Sequence, residues 1–199
     1  MRPMLSLLLV VALAACSGDP APAATASGAA AGATPTRAEQ RLDAMSEAVA
    51  EWSAAATIQE AHRAAESARN LVVGPGGPLY GDADGDGTTG GESDTGLLPA
   101  LDGSPGLADA GEPNPCVEAD VLGGPWDDAR ARWDIMLTAI DEWAPDHNTF
   151  PSLPSHPQRV VGWATLTLAS DDLDLAHEYA GHARLHVDVS TAAYEGCDA

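Results

Sequence analysis

From Gly74 to Pro125 the chain carries glycine, proline and aspartate at a density that suits neither a helix nor a paired strand. Regular structure must therefore form on either side of this stretch. The patterning there predicts a mainly α chain, a three- to four-helix bundle-like domain with a long Gly/Asp/Pro-rich loop over 73–125. A loop of such length inside a compact domain is usually functional, held by an ion, or locally disordered.

Upstream of the loop, Thr36 is placed to cap a helix, and Glu39 completes a capping box. Leu42, Met45, Val49, Trp52 and Ala56 share one apolar stripe, which predicts a single helix from Thr36 to about Val72. Continued along that helix, the stripe meets Gln59, Arg63, Glu66 and Asn70, with His62 at its edge, so the inner face turns polar. Downstream, Trp133, Met136, Leu137, Ile140 and Trp143 mark a second helix, which Pro145 stops. Val160 to Leu168 suits a strand by its β-branched residues and a buried helix by its company, and helix is the assignment favoured here. A last helix starts at Ser170 or Asp171 and runs to about Ala193, with Asp171, Asp172 and Asp174 in its first turn.

The N-terminus reads as an address. Arg2 leads into an apolar run from Leu5 that ends in Leu13-Ala14-Ala15-Cys16, and the run is too short for a permanent membrane helix. Leu13-Ala14-Ala15-Cys16 resembles the lipobox of bacterial lipoproteins. That resemblance implies removal of 1–15 as a signal peptide and lipidation of Cys16. The protein would be exported and anchored by acyl chains to the outer face of the plasma membrane or to the outer membrane. Residues 16–35 are then the lipidated cysteine and a flexible tether of small residues and proline, and 36–199 a single helical domain. The chain has no lysine and a formal net charge of -21, which argues against nucleic acid as a partner. Cationic ligands and an envelope protein partner remain. Beside Cys16, Cys116 and Cys197 form an even pair in an oxidising compartment and are expected to make a disulfide. It would close a loop of about 80 residues and contribute at most about 4 to 5 kcal/mol.

Two stretches carry candidate chemistry. Asp82-Ala83-Asp84-Gly85-Asp86-Gly87 resembles the start of an EF-hand loop, with oxygens at alternate positions and glycine sixth. The resemblance implies a structural Ca2+ held by Asp82, Asp84, Asp86, Thr88 and Glu92. The twelfth position, however, is Ser93, between Glu92 and Asp94. Further on, Glu178, His182 and His186 recur every four residues on one helical face. With His62 and Glu66 from the first helix they offer ligands for Zn2+ or another transition metal, or hydrogen-bonded pairs such as His182 with Glu66.

His177-Glu178-Tyr179-Ala180-Gly181-His182 also resembles the HExxxH motif of dipeptidyl-peptidase III metallopeptidases. The resemblance implies zinc on His177 and His182, with Glu178 activating water. Histidines five apart differ by about 140° around a regular helix, so this arrangement needs a bulge, for which Gly181 is the natural place. The functional expectation is thus an envelope lipoprotein with a non-enzymatic binding role. The alternatives are a small zinc hydrolase and a structural lipoprotein without metal.

Overall fold

The computed structural model describes residues 35–110, 114–143 and 153–196. Residues 1–15, read above as a signal peptide, Cys16 and the expected tether up to residue 34, Pro145 and Cys197 lie outside the described residues. From Pro35 onward the chain is one compact unit. It is mainly helical, with α1 (Arg37–Ala54), α2 (Ile58–Val73), α3 (Ala129–Asp141), α4 (His156–Leu168) and α5 (Leu173–Glu195). Among the described residues there is no strand, and no helix is long and apolar enough to cross a membrane.

Thr36 and Glu39 form the expected capping box of α1, and Leu42, Met45, Val49 and Trp52 are buried along its inner face. The helix predicted to continue to Val72 instead breaks at Ala55. Thr57 begins a second capping box with Glu60, whose carboxylate accepts the backbone N–H groups of Ala56 and Thr57. This local competition ends α1 within a stretch of alanines that would otherwise have carried it on. The break lets α2 fold back against α1. α1 packs on α2 and α5, and α4 packs on α2 and α5, so these four close a ring, with α3 leaning on α4.

Val160–Leu168 is helical, started by a Ser155/Gln158 capping box with Pro157 in the first turn. α5 starts a little later than expected because Asp172, rather than Ser170 or Asp171, is the cap.

The long loop is not structureless throughout. It contains a 3-10 turn at Leu107–Asp109 and a π-helical turn at Val117–Leu122. It also finishes α2. The terminal carbonyls of Leu71 and Val72 accept the N–H groups of Leu97 and Leu98, both of whose side chains are buried. Arg41 on α1 donates to the carbonyls of Leu71 (2.9 Å) and Thr95 (2.5 Å), tying helix end and loop together. Trp133 on α3 donates its indole N–H to Pro99 at 2.9 Å. Cys116 is not a free thiol, and its expected partner Cys197 falls outside the described residues, so their pairing stays an expectation.

Candidate functional site

Glu66 and Asn70 stand one turn apart on α2, on the face that receives the loop. Both are buried, at 1% and 0% exposure. A buried carboxylate and amide must find partners, and the loop backbone supplies them. Glu66 Oε2 accepts the N–H groups of Ala83 and Asp84, and Oε1 accepts that of Gly90 at 2.6 Å. Asn70 donates to the carbonyls of Gly81 (3.1 Å) and Gly90 (2.8 Å), while its Oδ1 accepts from Gly81. Two side chains of one helix thereby fasten both ends of the acidic loop.

Within the loop, Asp82 accepts the N–H groups of Gly85 (2.8 Å) and Gly87 (2.9 Å), and Asp84 that of Asp86 (3.0 Å). Gly87, sixth from Asp82, has φ +89°, a left-handed conformation that glycine adopts without strain. One carboxylate oxygen each from Glu66, Asp82 and Asp84 then lies within 4.8 Å of the others. Burial, reinforced by the negative charges of Glu66, Asp86 and Asp82, holds the Asp84 carboxyl above the usual carboxylate range, against the lowering effect of the Asp86 N–H. Arg69, 4% exposed, adds a compensating cation on α2, and burial pushes its guanidinium down to about 10 despite the attraction of Glu66.

The calcium set read from the sequence is thus brought together only in part. Asp82 and Asp84 converge. Asp86 instead pairs with Arg63 at 3.0 Å, which draws its carboxyl below the usual range. Thr88 contributes its N–H to Asp86, and Glu92 is exposed and outside the three-carboxylate group. In its place stands Glu66, whose signal in the sequence was a carboxylate on the inner stripe of a helix.

The histidine set disperses. His62 donates from Nε2 to the Ser170 carbonyl (2.8 Å), and His177 from Nε2 to the Ala55 carbonyl (2.9 Å). Both satisfy backbone acceptors where helices end. His182 stacks on Trp163, with ring centroids 4.5 Å apart and planes 18° from parallel, and its Nε2 lies 4.0 Å from Glu178. His186 turns to His156, a residue that periodicity did not single out. Glu66 on α2 is engaged by the backbone of the acidic loop, so neither the five-residue set nor a His182–Glu66 pair is assembled. α5 runs as α-helix from Leu173 to Glu195, with no bulge at Gly181 to bring His177 and His182 to one side. Among the described residues, the group of three or more metal-ligating side chains is Glu66, Asp82 and Asp84. Comparison with protein-family models, curated proteins and solved structures finds no match to this chain.

Proposed function

We propose that this protein is an exported, lipid-anchored domain with a non-enzymatic binding role, whose acidic loop holds Ca2+. The observation that carries the proposal is the meeting of buried Glu66 with Asp82 and Asp84 at the start of an EF-hand-like run. The donor set fits the ion. It consists of carboxylate oxygens, the choice of a hard cation, and it lacks the imidazoles and thiolates that select transition metals. Like charges held this close repel, and a bound divalent cation would relieve that cost while locking the loop to α2. Glu66, supplied from α2, would stand in for the acidic residue missing at Ser93. The calcium-locked loop is then part of the surface offered to an envelope partner, while Cys16 supplies the membrane anchor.

Calorimetric titration of EDTA-stripped protein with Ca2+ tests this. One equivalent should bind to the wild type, and binding should be lost in an Asp82→Asn, Asp84→Asn double variant. Absence of both binding heat and thermal stabilisation in the wild type would overturn the calcium assignment. Labelled palmitate should enter the wild-type chain and not Cys16→Ser, and equal labelling of both would remove the lipid anchor.

A further inference from the structure

His156 opens α4 and His186 lies in α5, and the acidic loop uses neither. Their Nδ1 atoms stand 3.0 Å apart, with ring centroids separated by 5.1 Å. His186 is 8% exposed and His156 half-buried. Burial disfavours the charged form of both rings. Burial first, then the charges of His156, Arg159 and His182, push His186 down to about 3. Burial and Arg159 lower His156, with Asp120 acting in the opposite direction. Neutral imidazole is the form that ligates metals.

The two Nδ1 atoms share a hydrogen bond, one carrying the proton and the other accepting it, which already brings both nitrogens within reach of a single small ion. Asp120 sits on the π-helical turn Val117–Leu122, a conformation that is rare and concentrates at functional sites. Arg159 is engaged elsewhere, its Nε donating to the Leu153 carbonyl at 3.0 Å.

We propose that His156 and His186 are the protein ligands of a divalent transition-metal site, with Cu2+ as its tightest occupant. A pivot of each ring aims both Nδ1 lone pairs at one ion, while the protons reside on Nε2. Asp120 supplies the compensating negative field. This site is separate from the calcium loop and does not depend on it.

The test uses the full untagged chain, stripped of metal and titrated with Cu2+. One equivalent should bind, and pulsed electron paramagnetic resonance should count two imidazole nitrogens. His156→Asn, at a half-buried first-turn position, and His186→Asn should each weaken binding tenfold or more. His62→Gln, His177→Gln and the Asp82→Asn, Asp84→Asn double variant should leave it unchanged, which separates this site from the calcium loop. Copper bound equally by His156→Asn, or a spectrum with a single imidazole, or no binding, would overturn the proposal and leave a proton-sharing pair. The spectrum of the wild type decides even where a variant fails to fold.

Discussion

Asp84 carries the tension of the acidic loop in one side chain. Its carboxyl is raised by burial and by neighbouring acids, so the folded chain holds that proton more tightly than the unfolded one. Stability from this group is therefore present below the ordinary carboxyl range near 3.8 and falls as pH rises through the raised folded value. At pH 7 in EDTA, Asp84→Asn should raise the melting temperature, because it removes a charge that the folded loop holds at a cost. In excess Ca2+ the order should reverse, and differential scanning calorimetry in the two buffers checks both signs. Tyr194 offers an alkaline counterpart. Its hydroxyl is buried without a hydrogen-bond partner among the described residues, and burial, followed by Glu39, pushes it up to about 12. Stability from this neutral phenol persists below pH 10 and is lost as pH climbs from 10 toward 12. Tyr194→Phe should stabilise the fold by about 1 kcal/mol at pH 8 and flatten that alkaline decline, as read by urea denaturation. At this scale the sequence showed which residues were chemically able, and Glu66 stood out as a carboxylate on an apolar stripe. Its partners were backbone N–H groups at Ala83, Asp84 and Gly90, which leave no trace in side-chain identity. His156 was hidden for a similar reason: it lies among prolines, with no periodic neighbour to mark its face.

Between α1 and α2 the decisive element is a cap rather than a breaker. Both Thr36-x-x-Glu39 and Thr57-x-x-Glu60 have the same signature, but an unbroken run of helix-forming residues masked the second. Thr57→Ala should cost about 1 kcal/mol, seen as a lower urea midpoint with an unchanged slope. The ambiguity at Val160–Leu168 resolved by the same device, since the Ser155/Gln158 box commits the chain to a helix before its β-branched residues are reached. The calcium expectation for the loop from 81 to 91 rested on its aspartates and glycines. Its seat on α2 could not, because Asn70 and Glu66 fasten it through contacts between segments. Hydrogen exchange at the amides of Ala83, Asp84 and Gly90 should slow on adding Ca2+ and lose that response in Glu66→Gln.

Across the whole molecule, the mainly helical, bundle-like class was the part best announced by pattern, since the helices of the ring each bury one face. The folding back of α1 on α2, and α3 lying outside the ring, followed from packing choices that periodicity does not rank. A formal charge of -21 makes the ensemble repel itself. Raising NaCl to about 0.5 M in EDTA, where the screening length is only a few ångströms, should therefore raise the melting temperature, and by less once Ca2+ is present. The stacking of His182 on Trp163 has an optical consequence. Among five tryptophans, one indole lies flat on an imidazole that is a single helical turn from His186. Its fluorescence is tied to that turn, so a paramagnetic ion arriving there would dim Trp163 emission and let the protein report its own occupancy without a label.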